Sequence, residues 1–319
     1  MLIGQYIGYV SDIRRYSLRT RTLYKEILED FAKFVNEGGE GCPSDEKILS
    51  SLTPNLIRAY EVYLLDQGGD NARTVNLHLS VLSGFCRFLM KNRQLEYNPI
   101  KMIRRPKEEK RLPVFYREES MKEYFESTDC YAGEDTGVAA SYKKRLARLI
   151  VSILYDTGMR RSELIGLRIG SVDFGRRIAI VSGKGDKMRE IPLVPSLCKE
   201  ISLYLQATES KMGSARSLSD PLLVTEKGSR LYPVYVDRVI KSELGRIPSI
   251  TGRKSPHVLR HTLATELLNN GADLNSIKEL LGHSSLAATQ VYTHNSIEKL
   301  KKVYNNAHPR AKSGGHNGD

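Results

Sequence analysis

The sequence predicts a mainly α-helical protein of two domains with one small β-sheet. Its 319 residues exceed the size at which a single hydrophobic core usually stops growing, which favours two domains. Apolar residues recur at helical spacing through most of the chain, whereas two short strand-like runs flank a single glycine-rich turn. Hydrophobic residues make up 40% and charged residues 27% of the chain, which is the ordinary composition of a folded globular protein.

Four segments in the first hundred residues carry apolar side chains at helical spacing and predict a small helical bundle. Ser17 can cap the second segment, and the pair Gly38 and Gly39 can end it. The pair Asn98 and Pro99 closes the bundle, because proline cannot continue a helix. The predicted helices cover residues 3–13, the segment from Ser17 to Gly38, residues 53–67 and residues 71–91.

A basic stretch follows the bundle. Between residues 101 and 111, six Lys and Arg residues, Arg104 and Arg105 among them, stand against two Glu residues, and Pro106 interrupts the stretch. Such a charge run is usually a solvated loop, and between two folded blocks it also suits a linker that lies along phosphates. The expected organisation is a first domain over residues 1–105, a linker over 106–113, a second domain over 114–307 and a flexible tail over 308–319.

The second half is predicted to be mostly helical around one β-hairpin. Pro195, Pro233 and Pro256 stand where the first turn of a helix accepts proline, and Gly271 and Gly282 suit helix ends. The predicted elements are helices over 144–156, 195–207, 233–244, 256–269, 274–281 and 297–306, and strands over 177–181 and 190–194 around the turn 183–186. The polar stretch 129–141 is expected to be a loop.

The charge balance points to a polyanionic partner. The chain carries 49 Lys and Arg against 37 Asp and Glu, a net charge of +12, and its isoelectric point is near 9.4. Residues 1–111 contribute +4 and residues 112–319 contribute +8, so the partner is expected to touch both halves.

The sequence favours a cytoplasmic protein with no membrane partner. The longest strongly apolar stretch, residues 149–155, is far shorter than the about 20 residues that span a bilayer. The first ten residues lack the cationic leader of a signal peptide. The four cysteines lack the paired short spacing of a disulfide or zinc framework, which suits a reducing compartment.

Several chemistries are excluded by missing motifs. The turn Gly183-Lys184-Gly185 lacks the upstream glycine and the following hydroxyl of a nucleotide-binding loop. His257 and His261 have the spacing of a zinc-binding helix, but Val258 stands where such a helix needs its glutamate. No carboxylate cluster suits a two-metal nuclease. We therefore expect no cofactor and no metal site.

One group of residues suits a phosphate. His257 and Arg260 lie three residues apart on one face of a helix that starts at Pro256, and a helix N-terminus with such neighbours attracts anions. Arg160 follows a glycine turn, and a hairpin lysine, a second histidine and a tyrosine complete the set. These additional candidates are Lys184, His283 and Tyr292.

These motifs resemble those of the tyrosine site-specific recombinases of the phage integrase family, most closely the Xer type. The resemblance covers about residues 1–311 and implies a helical core-binding domain of the N-terminal SAM-like kind followed by a catalytic domain. Five ordered motifs carry it: Thr157-Gly-x-Arg160-x-Ser-Glu163-Leu, Gly183-Lys184-Gly, His257-x-x-Arg260-His261, Leu281-Gly282-His283 and Tyr292-Thr-His294.

The resemblance also implies a role for each matching residue. Tyr292 would attack a DNA phosphorus, leaving a 3′-phosphotyrosine and a free 5′-hydroxyl, without metal or ATP. Arg160 and Arg260 would hold the non-bridging oxygens, Lys184 would protonate the leaving 5′-oxygen, His257 would act as acid or base near the nucleophile, His283 would hydrogen-bond the phosphate, and Glu163 would orient its neighbours. Arg104, Arg105 and Lys187 are expected to contact DNA.

Chromosome-dimer resolution is the task that the Xer resemblance implies. A DNA invertase or a mobile-element integrase would use the same chemistry, and a type IB topoisomerase or an inactive DNA-binding regulator is a less favoured alternative. The implied partners are double-stranded DNA at specific sites, related recombinase copies in a homo- or hetero-tetramer, and a cell-division DNA translocase. The implied location is the cytoplasm, at the nucleoid.

Overall fold

The computed structural model describes residues 1–36, 43–66, 68–108, 114–128, 138–183, 188–282 and 294–312. The chain forms two compact units, Met1–Arg111 and Leu112–Asp319. Helices predominate in both, and the described strands form one small sheet, so the predicted fold class is confirmed. Among the described residues, no helix combines the length and apolar character needed to cross a bilayer.

The first unit is a helical bundle whose helices begin at local capping signals. The Ser17 side chain accepts a hydrogen bond from the Thr20 N–H, which confirms the predicted cap, and Asn71 caps the last long helix in the same way. Leu28 and Phe85 lie in its buried core. The helices are α1 (Leu2–Asp12), α2 (Leu18–Val35), α3 (Asp45–Ser51), α4 (Pro54–Asp66), α5 (Ala72–Lys91) and a 3₁₀ turn at Pro99–Met102.

The second unit is helical around the sheet. Pro195, Pro233 and Pro256 each occupy the first turn of a helix, as predicted. The helix from Pro195 extends beyond residue 207 to Met212, and Gly213 ends it in the left-handed conformation. The helices are α6 (Glu118–Ser127), α7 (Val138–Thr157), α8 (Arg161–Gly166), α9 (Pro195–Met212), α10 (Pro233–Leu244), α11 (Pro256–Asn269), α12 (Leu274–Leu281), α13 (His294–Ala307) and α14 (Pro309–Lys312), with a 3₁₀ turn at Ile169–Ser171.

The sheet has three antiparallel strands in the order β1 (Val172–Asp173), β2 (Ile178–Ser182) and β3 (Met188–Pro192). Ser182 pairs with Met188, so both strands extend closer to the hairpin turn than predicted, since the predicted strands ended at residue 181 and began at residue 190. Strand β2 also begins one residue later than predicted, because Arg177 adopts a positive φ in the preceding turn. The two-residue strand β1 was not predicted, since so short a run carries no periodic signal.

Two sequence expectations are wrong, one at the start of α7 and one near the end of the chain. Helix α7 begins at Val138, inside the stretch expected to be a loop. Residues 308–312 were expected to be flexible, but His308 is fully buried and Pro309–Lys312 form a short helix. Arg310 holds this segment in place by ion pairs with Asp156 and Glu200, a contact between residues far apart in sequence. The remaining tail, residues 313–319, lies outside the described residues.

Candidate active site

The turn between α7 and α8 positions Arg160. Helix α7 ends at Thr157, and Gly158 turns the chain with a φ of +59°. Arg160 stands just before α8, where its backbone N–H donates to Glu163 Oε2 at 2.7 Å. Its side chain donates to the other oxygen of the same carboxylate, from Nη1 to Oε1 at 2.8 Å. Glu163 thus holds Arg160 by both its backbone and its guanidinium group.

Replacing Gly158 by alanine is expected to lower the free energy of unfolding by more than about 1–2 kcal/mol, the cost of a left-handed backbone alone. The added Cβ would lie 2.6 Å from Leu281 Cδ2 and 2.9 Å from Leu263 Cδ2, so packing adds to the loss. Gly271→Ala is the matched control, because its φ is +86° and nothing lies within 4 Å of its Cβ position. Chemical denaturation compares the two, and equal losses would contradict the close packing at Gly158.

Helix α11 carries the second arginine and the first histidine. Arg260 is buried, with 8% of its surface exposed. Its Nη1 donates to the Gly158 carbonyl at 2.7 Å and its Nη2 to the Leu281 carbonyl at 2.5 Å. His257 is exposed on the first turn of the same helix. Arg260 therefore ties α11 to both the α7–α8 turn and the end of α12.

Three guanidinium groups meet three successive carbonyls at the end of α12. Arg189 Nε donates to the Leu280 carbonyl at 3.1 Å, Arg260 Nη2 to that of Leu281, and Arg160 Nη2 to that of Gly282 at 2.8 Å. The last turn of a helix exposes carbonyl groups and the negative end of its dipole, which attracts cations. The chain thus gathers several positive charges where α12 ends.

The surroundings of Glu163 and Arg260 shift the pKa values of these two groups. Burial alone would raise the pKa of Glu163, but hydrogen bonds and charge from Arg189, and hydrogen bonds from Arg160, bring it below the ordinary value. Burial, with the charges of Arg160 and Arg189, lowers the pKa of Arg260 to about 10. Arg260 is still protonated at neutral pH, and Glu163 is ionised.

His257 sits among cations. Desolvation by the groups packed around the ring lowers its pKa first, and the nearby positive charges of Arg161, Arg260 and Arg253 lower it further, because they disfavour the imidazolium form. At neutral pH the imidazole is therefore neutral. A neutral imidazole can accept a proton, as a general base must.

Replacing Arg161 by glutamine is expected to raise the pKa of His257, since the change removes one of the cations that oppose its protonation. NMR titration of the His257 ring measures the midpoint in the wild type and in Arg161→Gln. Arg246→Gln, which removes an exposed arginine paired with Glu243, serves as the control. A midpoint that does not rise in Arg161→Gln would contradict this account.

Residues 136–299 match the phage integrase family, and residues 3–93 match the N-terminal SAM-like domain of phage integrases. Tyrosine recombinase XerC of Bacillus pumilus (strain SAFR-032) is 36% identical over 313 residues, which cover 97% of each chain. The chain belongs to the phage integrase family. Tyrosine recombinase XerC of Bacillus subtilis (strain 168) is 35% identical over 312 residues, covering 96% of this chain and 95% of that one. The sequence prediction of an Xer-type tyrosine recombinase, an enzyme that cleaves and rejoins DNA, is confirmed.

A solved structure shows the same fold. The XerH site-specific recombinase bound to a palindromic difH substrate, in a post-cleavage complex, superposes with a TM-score of 0.67. The two chains share 20% identity, and the match covers 98% of this chain and 83% of that one. This likeness supports the two-domain recombinase architecture.

Within this phage integrase chain the structure brings together part of the predicted site. Arg160, Glu163 and Arg260 meet at the end of α12, and His257 lies one helical turn from Arg260. Gly282, with a φ of +64°, is the last described residue before a gap in the described chain. The other predicted residues of this unit, Lys184, Lys187, His283 and Tyr292, lie outside the described residues.

Of the two predicted DNA contacts of the first unit, Arg105 contacts α5. Arg105 Nη1 donates to Ser80 Oγ at 2.8 Å, and Arg104 is exposed. Asn76 of the same helix donates to the Pro106 carbonyl at 3.0 Å, so the start of the expected linker lies along α5. Their contact with DNA stays a prediction.

The sequence interpretation missed Arg189. The predicted strand began at residue 190 and left Arg189 out, whereas in the structure Arg189 and Ile191 lie two residues apart and face the same side of β3. Both are buried, so a charged residue occupies a position that faces the core. A buried charge needs a partner. The partner, Glu163, lies 26 residues earlier in the sequence.

Proposed function

We propose that this Xer-type recombinase cleaves and rejoins duplex DNA at a specific site through a 3′-phosphotyrosyl intermediate. One observation carries the proposal: the Arg160 and Arg260 side chains, from different elements, bind adjacent carbonyls at Gly282 and Leu281. His283, the next residue in sequence, is a further member of the predicted set. Two arginines held this close can bind one phosphate together, since guanidinium groups match its oxygens.

Each arginine keeps donors for that phosphate. A guanidinium group has five N–H groups, and Arg160 and Arg260 each use two of theirs on partners among the described residues. The side chain of Arg160 is 37% exposed, so DNA can reach it. Positive charge that is already in place stabilises the negative charge that grows on the phosphate oxygens in the transition state.

In the proposed step, the Tyr292 phenol oxygen attacks the phosphorus and the bond from phosphorus to the 5′-oxygen breaks. His257 accepts the phenol proton, and Lys184 donates a proton to the leaving 5′-oxygen, which becomes a 5′-hydroxyl. His283 hydrogen-bonds the phosphate. In the reverse reaction a 5′-hydroxyl attacks the phosphotyrosyl bond and releases the tyrosine. The phosphotyrosyl bond retains the energy of the cleaved bond, so rejoining needs no nucleotide.

The proposed task is chromosome-dimer resolution at a specific DNA site, which the names of the XerC relatives support. Copies of this chain, alone or together with a related recombinase, would form a tetramer on DNA. A cell-division DNA translocase would regulate this tetramer. The proposed location is the cytoplasm, at the nucleoid. Arg104, Arg105 and Lys187 would contact the DNA backbone, so binding would weaken as salt rises.

A nicked suicide duplex tests the proposal. Duplexes with a nick next to the expected cleavage position, each carrying one candidate genomic site, are incubated with the native chain and with Tyr292→Phe. We expect a covalent protein–DNA adduct, resolved on a denaturing gel, with the native chain only. An adduct with both chains would exclude Tyr292 as the nucleophile. No adduct on any site would overturn the proposed reaction. A mobile-element end that reacts in place of a chromosomal site would favour an integrase.

A further inference from the structure

Arg189 carries the third of the guanidinium groups that meet at the end of α12. All three of its side-chain nitrogens donate hydrogen bonds to other residues of the chain. It lies on β3 with 6% of its surface exposed. Nη1 and Nη2 donate to Glu163 Oε1 and Oε2 at 2.8 and 2.9 Å, which forms a bidentate pair. The remaining nitrogen, Nε, donates to the Leu280 carbonyl. Each nitrogen of Arg189 therefore has a protein partner, and the residue is not placed to bind a phosphate itself.

The pair with Glu163 connects Arg189 to Arg160. The Glu163 side chain is 3% exposed, and each of its oxygens accepts one hydrogen bond from Arg189 and one from Arg160. The bidentate contact fixes the plane of the carboxylate. Since that carboxylate holds both the backbone N–H and the Nη1 of Arg160, its orientation sets where the Arg160 guanidinium points.

Arg189 also fixes the end of α12. A Cβ placed on Gly282 would lie 3.1 Å from Nε, Nη1 and Cζ of Arg189, so the guanidinium group packs directly against this glycine. The Gly282 carbonyl in turn accepts from Arg160. Arg160 is thus held from two sides, by Glu163 and by Gly282, and Arg189 contacts both of those residues.

We propose that Arg189 is a positioning residue for strand cleavage: it sets the orientation of Arg160 through Glu163 and through the end of α12. The proposal rests on the proposed function, in which Arg160 binds the scissile phosphate. A loss of this support would leave substrate binding intact and slow the chemical step, because small displacements of a reacting group have large kinetic effects.

Arg189→Lys is the main test. Lysine keeps the positive charge beside Glu163, but it lacks the planar group that makes the bidentate pair and the bond to Leu280 together. We expect the single-turnover cleavage rate on a suicide duplex that the native chain cleaves to fall on the order of 10²-fold. Affinity for the uncleaved site is measured alongside and is expected to stay close to the native value. The melting temperature is expected to fall, because the buried bidentate pair is weakened, so the rates are compared at a temperature at which both proteins are folded. Arg189→Gln serves as a second variant.

Arg176→Lys is the matched control. Arg176 forms a bidentate pair with Glu190 of the same sheet, at 3.1 and 3.0 Å, but this pair is partly exposed and has no hydrogen bond or ion pair with a predicted site residue in the described part of the chain. The same substitution in the same kind of pair is therefore expected to leave the cleavage rate unchanged. A fall comparable to that of Arg189→Lys would show that the sheet, rather than Arg189, determines the rate.

A neutral substrate separates positioning from general damage. A methylphosphonate at the scissile position replaces one charged oxygen by a methyl group, which removes the charge that Arg160 would stabilise. We expect the defect of Arg189→Lys to shrink on this substrate. An equal defect on both substrates, or native cleavage rates in both Arg189 variants, would overturn the inference while leaving the proposed function intact. A native chain that forms no adduct would overturn the proposed function and this inference with it.

Discussion

Replacing Arg260 by lysine is expected to lower the single-turnover rate of DNA cleavage by about 10²–10³-fold, the usual loss when one preorganised donor is removed. Arg260 spans the Gly158 and Leu281 carbonyls with two nitrogens of one planar group, at 2.7 and 2.5 Å. A lysine has a single nitrogen and cannot bind both carbonyls and a phosphate in the same plane. The charge stays, so the loss would report geometry rather than net charge.

Arg246→Lys is the control for this prediction. Arg246 is exposed and pairs with Glu243 at 3.3 Å, and its replacement by lysine is expected to leave the cleavage rate unchanged, because the pair lies apart from the described members of the predicted site. The rate is measured on the suicide duplex, with site affinity and melting temperature recorded for each variant. If Arg260→Lys cleaved at the native rate, Arg260 would not belong to the phosphate-binding group.

The predicted elements that the structure confirms are those whose signals are local. The Ser17 cap, the proline at the start of α11 and the glycine at the end of α12 each act within one helical turn of themselves. The placement of His257 and Arg260 on one helix face was equally predictable, because a spacing of three residues brings two side chains to the same face. For such features the sequence contains the whole physical cause.

The features that the sequence did not predict depend on contacts between distant residues. Arg189 acquires its role only when β3 packs beside α8 and α12, and its partners Glu163 and Leu280 lie 26 and 91 residues away. The structure around Arg310 was missed for the same reason, because Arg310 binds Asp156, which lies 154 residues earlier in the sequence. Helix α3 was missed for another reason, because its seven residues hold too few apolar positions to show a period.

Asp156 connects the end of the chain to the turn that carries Arg160. It is fully buried, one residue before the end of α7. Arg310 Nη1 donates to Asp156 Oδ2 at 2.6 Å and Nη2 donates to Glu200 Oε1 at 2.7 Å, and the guanidinium group stacks 4.0 Å from the centre of the Phe125 ring. The Tyr304 hydroxyl donates to the Asp156 carbonyl at 2.6 Å. The C-terminal segment therefore compensates buried negative charge next to the site.

Replacing Arg310 by methionine is expected to lower the free energy of unfolding by about 3–5 kcal/mol at mildly alkaline pH, because it leaves the buried Asp156 and Glu200 without this cation. Urea denaturation measures the loss. Lys122→Met, at the exposed pair of Lys122 with Glu126, is the control and is expected to lose less than about 1 kcal/mol. A loss in Arg310→Met no larger than the control would show that the ion pairs do not stabilise the second unit.

The loss in Arg310→Met is also expected to depend on pH. Burial raises the pKa of Asp156 to about 7, although Arg310 lowers it, so the native state binds this proton more tightly than the unfolded state does. Removing Arg310 raises this pKa further. Well below pH 7 Asp156 is protonated in both folded proteins, and Arg310 has only Glu200 left to compensate. Above pH 7 Asp156 is ionised in the wild type and is attracted to Arg310, whereas the variant lacks this attraction. The difference in unfolding free energy between the wild type and Arg310→Met therefore grows. Urea denaturation at about pH 6 and about pH 8.5 measures this difference. If the difference is the same at both pH values, the pair with Asp156 is not the source of the stability that Arg310 provides.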